Sequence, residues 1–320
     1  MPVRTPDDLT AAVLAEVARA PDARTRELLG LAVGHLHAFV REARLTEAEF
    51  QQVCGWVAQL GQLTTASHNE VVLAAGSLGV SALVCLINNG QGGTAPTTAN
   101  LMGPFWRDGS PATANGGSLV RTPGTPGEAV YVDAWVVDAQ GRPVEGARVD
   151  VWHTSAEGFY ENQDPAQADM NLRGQFQTDA QGHVWFQSVK PAGYPIPLSG
   201  PVGALLRAQG RHNMRPAHIH FLIHKAGYKS QFSQVYSADD PFLGTDVQFG
   251  VTEALSGHYR RHEAGEPPPF GQPPAPGQAW YSLEHRFVLD SGEARLPKAP
   301  ISGKAEGARP VRQILERRGD

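Results

Sequence analysis

Apolar side chains recur at helical spacing through roughly the first ninety residues and at alternate positions from about residue 128 onward. That change of period divides the chain into a helical part followed by a β-rich part. Thr5-Pro6-Asp7-Asp8 places a capping residue, a proline at the first helical position and an acid three residues on, so a helix starts there. Residues 22–43 carry a second amphipathic pattern through Leu28, Leu31, Leu36 and Phe39. Thr46-Glu47-Ala48-Glu49 repeats the capping logic ahead of Phe50, Val53, Trp56, Val57 and Leu60. The stretch from Asn69 to Asn88 predicts a fourth helix, which Asn88-Asn-Gly-Gln-Gly-Gly93 ends.

Beyond Glu128 the pattern predicts strands. Residues 129–137 are β-rich and close on the turn Asp138-Ala-Gln-Gly141 with Pro143, and Ala147-Arg-Val-Asp-Val-Trp152 alternates. The same Asp-Ala-Gln-Gly recurs at 179–182, between Gln175-Phe-Gln-Thr178 and His183-Val-Trp-Phe-Gln187, which predicts a hairpin. Short strands at this spacing predict an antiparallel β-sandwich. The proline-rich run 265–278 cannot be a central strand and reads as a stiff surface loop. Strand character returns from Trp280 to Leu289, and the mixed-charge tail after Ala299 reads as a frayed helix. The expected architecture is α+β: a helical N-terminal domain over 1–105, a β-sandwich over 106–299 and a polar tail over 300–320.

Composition narrows the class of partner. The chain has 320 residues, a net charge of −5 and 18% charged residues, so no basic face is expected and nucleic acid is not a partner. Cys54 and Cys85 form neither a metal-type spacing nor a disulfide framework and read as buried thiols in a reducing, cytoplasmic setting. The opening MPVRTPDDLT lacks the apolar stretch of a secretory leader. Val71 to Ile87 is apolar but interrupted by Gly76, Ser77, Gly79 and Ser81. It falls short of the ~20 residues that span a bilayer. It therefore reads as a buried helix at a subunit contact, not as a membrane segment.

Candidate chemistry centres on residues 211–221. His218 and His220 stand two apart in a strand-like run, so both imidazoles share one face and can reach one metal ion. Arg215-Pro216 would hold a permanent cation beside them. His-x-His alone serves many metals; zinc would want a Cys or an acid as third ligand, and none is placed nearby. Upstream, Tyr160 in Glu157-Gly-Phe-Tyr160 and Tyr194 in Gly193-Tyr-Pro-Ile-Pro197 stand in unusual settings. Taken singly, the first fits a turn tyrosine at a sheet edge and the second a ring packed on its flanking prolines. Taken with the histidines, two phenolates make a donor set for a highly charged ion such as ferric iron.

Longer motifs run in one order along the chain. They include Asn69-Glu70, Leu78-Gly79, Gly103-Pro-Phe105, Asn171-Leu-Arg-Gly174 and Thr178-Asp179. Gly193-Tyr-Pro-Ile-Pro197, Ser199-Gly-Pro-Val-Gly203, Gly210-Arg-His212, Arg215-Pro-Ala-His-Ile-His220 and Asp246-Val-Gln-Phe-Gly250 follow. Over roughly residues 25–290 this set resembles the intradiol ring-cleavage dioxygenases of the catechol 1,2-dioxygenase type. The resemblance implies an iron(III) site with ligands Tyr160, Tyr194, His218 and His220. It implies catalytic roles for Arg215, Gln234 and Tyr194, the last leaving the ion protonated as a catecholic diol binds. A pocket wall of Leu73, Gly76, Gly103, Pro104, Phe105, Ile196 and Pro197 is implied as well. The implied reaction cleaves the diol with O2 to a muconate, both oxygen atoms entering the product. The helical part is implied to form a homodimer interface, in the family often holding a phospholipid. His153, His212 and His224 are bystanders on this reading.

Glu157-Gly-Phe-Tyr160-Glu-Asn-Gln163 and Asn171-Leu-Arg-Gly174 are similar to the hydroxyquinol 1,2-dioxygenase branch, whose substrate 1,2,4-trihydroxybenzene gives 3-hydroxymuconate or maleylacetate. Hydroxyquinol is the expected substrate on this reading, while two departures keep substituted catechols, chlorocatechol or catechol as alternatives. That branch carries an acid where this chain has Gly76, which would either enlarge the pocket and remove an acceptor or simply allow close helix packing, and Gln234 keeps the catechol-type residue. Trp106 would either narrow the pocket mouth or pack in the core. Residues 137–149 also resemble the first hairpin of transthyretin-like binding sandwiches, which lack the four-ligand set with its arginine. A zinc hydrolase built on the two histidines would need a carboxylate base, and protocatechuate-type relatives lack the helical N-terminal part.

Overall fold

The capping signals at the start of the chain become helix starts. In the computed structural model, which describes residues 3–93 and 95–317, Thr5 and Asp8 close a capping box on α1 (Pro6–Val17). Asp22 caps α2 (Ala23–Ala43), and Thr46 and Glu49 close a second box on α3 (Glu47–Gln62). The chain divides into two compact units between Ala58 and Gln59. In the first, α1 lies against α2, where Thr10 Oγ1 sits 2.9 Å from His37 Nδ1 and accepts from Arg41 at 2.8 Å.

The second unit holds the remaining helices and all the strands. The predicted helix 69–88 is two helices, α4 (Glu70–Ser77) and α5 (Val80–Asn88), bent by 75°. Gly79 makes the break: its φ of +74° lies in the left-handed region, where a helix cannot continue. The stretch is buried on one face only: Glu70, Leu73, Ala74, Gly76 and Ser77 of α4 are buried, while Val71, Leu78, Val80, Leu83, Val84 and Ile87 are exposed in the single chain. Among the described residues no single helix is long and apolar enough to cross a membrane; α4 and α5 reach that length only as a bent pair. The expected helix stop at 88–93 contains one further turn, α6 (Gly90–Gly93).

Two sheets then pack face to face. The first runs in the order β10 (Arg260–His262), β11 (Trp280–Leu289), β1 (Ala129–Asp138), β4 (His183–Val189). The second runs β3 (Arg173–Gln177), β2 (Arg148–His153), β7 (His218–His224), β8 (Gln231–Ser237), β9 (Ser256–Gly257). Alternate residues meet between them: Val130, Val132, Ala134 and Val136 from β1, Val149 and Val151 from β2, Ile219, Phe221 and Ile223 from β7. Most pairings are antiparallel as expected, but β1 and β11 are parallel over ten residue pairs, as are β8 and β9 over two, so the sandwich is mixed.

Three expectations change. Residues 175–187 are not a hairpin: β3 and β4 belong to different sheets, and the Asp179 turn carries the chain across the sandwich. The tail is not a frayed helix; residues 299–317 have no regular structure, yet Ile301 is only 2% exposed and the segment is bonded along its length. The thiols are less buried than expected, Cys54 exposed and Cys85 half-buried, with burial raising the Cys85 pKa to about 11. The proline-rich loop behaves as predicted and covers the outer face of the first sheet, where Gln272 O accepts from Tyr131 Oη at 2.5 Å and Phe270 packs on the Tyr131 ring.

Candidate metal centre

Because Ile219, Phe221 and Ile223 point into the core, His218 and His220 project from the opposite face of β7, where both are buried. Strand register supplies their neighbours. Gln234 and Tyr236 of β8 stand opposite His220 and His218, and Trp152 of β2 stands opposite His220. The Trp152 indole stacks on the His220 ring, 4.6 Å between centroids and 9° between planes. His218 Nδ1 lies 2.7 Å from Pro216 O, which fixes the ring with Nε2 turned inward.

The tyrosines arrive on two separate segments. Tyr160 opens a single 3-10 turn, Glu161–Gln163, and its backbone N–H donates to Gln163 Oε1 at 3.2 Å. Behind it Glu161 accepts from Arg107 (2.9 Å) and Arg173 (2.6 Å), and Arg173 also donates to Phe105 O and Asn162 Oδ1. Tyr194 begins β5 (Tyr194–Pro195), which pairs with β6 (Met214–Arg215) so that Tyr194 and Arg215 are in register. A helix, α7 (Pro201–Ala208), follows in the connection between them.

Four donor atoms converge as a result. Tyr160 Oη is 3.0 Å from His220 Nε2, 3.4 Å from His218 Nε2 and 3.4 Å from Tyr194 Oη, and the two Nε2 atoms are 3.1 Å apart. Ligands at ~2.0–2.1 Å around one ion lie roughly that far from one another. Among the described residues no three His, Cys, Asp or Glu gather as a metal-binding group, so a metal at this point depends on the phenols.

The electrostatics suit such a set. Burial, with Arg215 close by, lowers the His218 pKa to about 3, and burial together with His218 holds His220 well below its ordinary value. Both rings are therefore neutral and offer lone pairs at pH 7. Burial also raises Tyr160 well above the ordinary phenol value, reinforced by Tyr194, and raises Tyr194 itself. Neither phenol ionises without a strong Lewis acid beside it.

Arg215 borders the cluster on one side. Burial opposes its charge, but Asp246, Tyr236 and Tyr194 outweigh that and hold its pKa well above the ordinary value. Nε and Nη2 donate to the two Asp246 oxygens at 3.0 and 2.9 Å, and Nη2 also donates to Gln234 Oε1 and Tyr236 Oη. Nη1 points the other way, 3.3 Å from His218 Nε2. Gln234 is locked in turn, its Nε2 donating to Leu101 O at 2.9 Å.

The expected wall residues divide into groups. Gly103 and Phe105 lie directly on the donors: a Cβ on Gly103, whose φ is +72°, would stand 3.3 Å from His220 Cε1, and the Phe105 ring is 4.5 Å from that of Tyr160. Pro104 is buried between them. Ile196 and Pro197 line a cavity of about 290 Å³ with Phe159 and tail residues 310–313. Leu73 and Gly76 lie on α4 against Gln248, whose Nε2 donates to Ser77 Oγ at 2.6 Å. The space at Gly76 is not empty, as the sequence suggested: a Cβ there would fall 1.7 Å from Gln248 Oε1. The glutamine fills the room and restores an acceptor. Gly76→Ala is therefore expected to lower stability by about 1–3 kcal/mol despite its better helix propensity. The loss should shrink in a Gln248→Ala background. Denaturant melts around this double-mutant cycle test the coupling, and additive losses would remove it.

Trp106 packs in the core against Phe232 rather than at a pocket mouth. His153, His212 and His224 are engaged elsewhere, near Ser188, Thr245 and Ser230 respectively. Sequence reasoning gave no role to Trp152, Tyr236, Asp246 or Gln248. The period-two register that pairs β7 with its neighbours was the available signal for the first two; the others depend on long-range contacts.

A family model described as Dioxygenase matches residues 101–291, and one described as Catechol dioxygenase N terminus matches residues 22–95. The 6-chlorohydroxyquinol 1,2-dioxygenase of Cupriavidus pinatubonensis is 38% identical over 285 residues, 88% of this chain and 96% of that protein. The hydroxyquinol 1,2-dioxygenase of a Rhizobium species is 36% identical over 279 residues, 87% of this chain and 92% of that one. The crystal structure of hydroxyquinol 1,2-dioxygenase from Pseudomonas putida superposes with a TM-score of 0.77 at 34% identity, covering 90% of this chain and 99% of its own.

Proposed function

The chain belongs to the intradiol ring-cleavage dioxygenases, and on that footing we propose that Tyr160, Tyr194, His218 and His220 hold a ferric ion at which O2 opens a catecholic ring. The observation that carries this is the convergence of two buried phenols and two neutral imidazoles, with Tyr160 Oη 3.0–3.4 Å from each of the other three donor atoms and, among the described residues, no acid or thiol grouped with them. Ferric iron, when bound, would supply the Lewis acidity that keeps two phenolates and a catecholic diol ionised.

The protein's own groups do the rest. Tyr160 and the two histidines would serve as the fixed ligands, with the His218 ring held by Pro216 O, the His220 ring by Trp152 and the Tyr160 backbone by Gln163. Tyr194 is the exchangeable one. That role is carried by the family resemblance, since burial raises the pKa of both phenols; once displaced, the Tyr194 Oη would accept the proton of an incoming diol hydroxyl. Arg215 keeps its charge through Asp246 and presents Nη1 to the cluster, where it stabilises negative charge developing on the ring in a water-poor pocket. Gln234 holds Nη2 and so fixes the direction of the guanidinium.

Hydroxyquinol is the preferred diol, with 3-hydroxymuconate or maleylacetate as product. Its support is the 36% and 38% identity to enzymes named for hydroxyquinol and 6-chlorohydroxyquinol, together with the polar Gln248 amide at Gly76, where the sequence alone suggested a void. A homodimer through the N-terminal helices fits the exposed Leu31, Leu36, Phe39, Val53 and Val57 of α2 and α3, an apolar surface that would also accept phospholipid chains.

The test is the visible spectrum of the iron-loaded protein, before and after anaerobic addition of hydroxyquinol. A broad tyrosinate-to-iron(III) band that shifts on addition is expected. A band that does not shift would retain the ferric site and transfer the substrate to substituted catechols. A protein that stays colourless after iron loading would overturn the site.

A further inference from the structure

Resting on the iron reading above, we propose that the C-terminal tail is a clamp that sets the spacing of the two tyrosine ligands, with Arg312 as its positioning residue. Both family matches end before the tail begins, the later one at residue 291. The tail nevertheless crosses both tyrosine segments. Ser302 N and Gly303 N donate to Ala66 O, and Ala305 N donates to Asn162 O, two residues beyond Tyr160. Further along, Arg309 bridges the carboxylates of Glu157 (2.5 Å) and buried Asp164 (2.9 Å) and lies over the Phe159 ring.

Arg312 adds a bridge closer to the two ligands than the bonds that join the segments further back, where Ala192 N donates to Ser155 O and Thr154 Oγ1 donates to Ala192 O. Its Nη1 donates to Glu157 O at 2.5 Å, three residues before Tyr160, and its Nη2 donates to Gly193 O at 3.0 Å, the residue before Tyr194. The guanidinium fits because residue 158 has no side chain: a Cβ there would stand 2.9 Å from Nη2. Buried Asn213 then anchors the tail beyond. Its Nδ2 donates to Gln313 O and to Ile196 O, and its Oδ1 accepts from Leu315 N.

Exposed ion pairs contribute little to stability by themselves. A planar guanidinium bonded to two carbonyls does something else: it fixes the distance between the loops that carry them. Tyr160 and Tyr194 lie in different parts of the chain, and among the described residues no strand pair joins their segments, which leaves their spacing to a few single bonds. Their Oη atoms are 3.4 Å apart, and the Arg312 bridge acts on that separation from outside the cluster. Releasing it lets the Tyr194 segment move relative to the fixed ligand.

The experiment compares the iron-loaded parent with Arg312→Ala, with a chain ending at Ala299, and with Arg295→Ala as a control. Among the described residues Arg295 pairs with Glu293 alone, at the surface. The readouts are the position of the tyrosinate-to-iron(III) band and the rate of iron loss to a chelator. The clamp predicts a shifted band and iron loss about tenfold faster in Arg312→Ala, at least as large in the truncated chain, and no change in the control. Arg312→Ala leaves Ile301 in place, so it keeps the test valid should truncation prevent folding. An unmoved band and unchanged iron loss in Arg312→Ala overturn the clamp. So does a change confined to the KM for the diol, which would assign the tail to the pocket wall alone. A parent with no such band after iron loading overturns the iron reading itself, and the clamp with it.

Discussion

Replacing Tyr160 by phenylalanine is expected to strip the protein of bound iron and of ring-cleaving activity while leaving its fold in place. The ring survives the change, so its packing on Phe105 at 4.5 Å and beside Tyr194 is kept. Only the Oη is lost, and it is the atom nearest His220 Nε2, at 3.0 Å, and within 3.4 Å of the other two donors. Three donors remain, of which Tyr194 is the exchangeable one on the proposed reading. Losing a partner of a metal ligand typically costs ten- to a hundredfold in affinity, and losing a fixed ligand should exceed about a hundredfold. Apo-protein stability should change by no more than ~1 kcal/mol, since the hydroxyl is a weak hydrogen-bonding group in a buried place. Iron content after purification, the visible band and a denaturant melt read all three consequences. A Tyr160→Phe protein that keeps its iron and activity would show that the ion is held elsewhere.

The histidine pair was legible because a strand's period is two: once Ile219, Phe221 and Ile223 go inward, His218 and His220 must share the other face. The family motifs then drew in both tyrosines and Arg215. Of the residues that hold these groups, Trp152 and Tyr236 follow from strand register, but Asp246 and Gln248 act through tertiary contacts without periodicity. Asp246 reaches Arg215 from a loop, and Gln248 fills the space left by Gly76 from the same loop.

The failed hairpin shows the limit of local signals most clearly. Asp138-Ala-Gln-Gly141 and Asp179-Ala-Gln-Gly182 form the same turn, with Gly141 N and Gly182 N each donating to the aspartate carbonyl at 2.9 Å. The first folds the chain back on itself, Val144 N bonding Val136 O, while the second sends β3 and β4 to different sheets. Identical turn chemistry leaves the partner of the outgoing strand to the core, and no four-residue motif encodes that. The break at Gly79 has the same origin. An isolated glycine is tolerated within a helix, and only the surroundings of α4 and α5 select its left-handed conformation.

Asp246→Asn is expected to produce the largest loss of stability in the catalytic unit. The Asp246 carboxylate accepts four bonds: from Arg215 Nε and Gln248 N on Oδ1, and from Arg215 Nη2 and Gly250 N on Oδ2. Both partners of the ion pair are 2% exposed. An asparagine turns one oxygen into a donor facing two other donors and leaves the guanidinium buried without its counter-charge. Breaking a buried pair from one side costs about 3–5 kcal/mol. Activity should fall roughly ten- to a hundredfold as well, because Nη1 is aimed only while the other nitrogens are held. The pH dependence follows from the same carboxylate. Burial alone would raise its pKa, but Arg215 outweighs burial and the folded-state value lies below the ordinary one. Between the two values the unfolded chain binds more protons, so stability rises with pH there. The contribution is complete above the ordinary carboxylate range and is lost as pH falls through the lowered native value. Parent and variant melts should therefore differ most at neutral pH and converge in acid. Asp246→Asn/Arg215→Met should regain part of the stability with no return of activity, since it removes the orphaned charge together with the group that acts on the ring. A single variant as stable as the parent at pH 7 would show that Arg215 is held by Gln234 and Tyr236 instead.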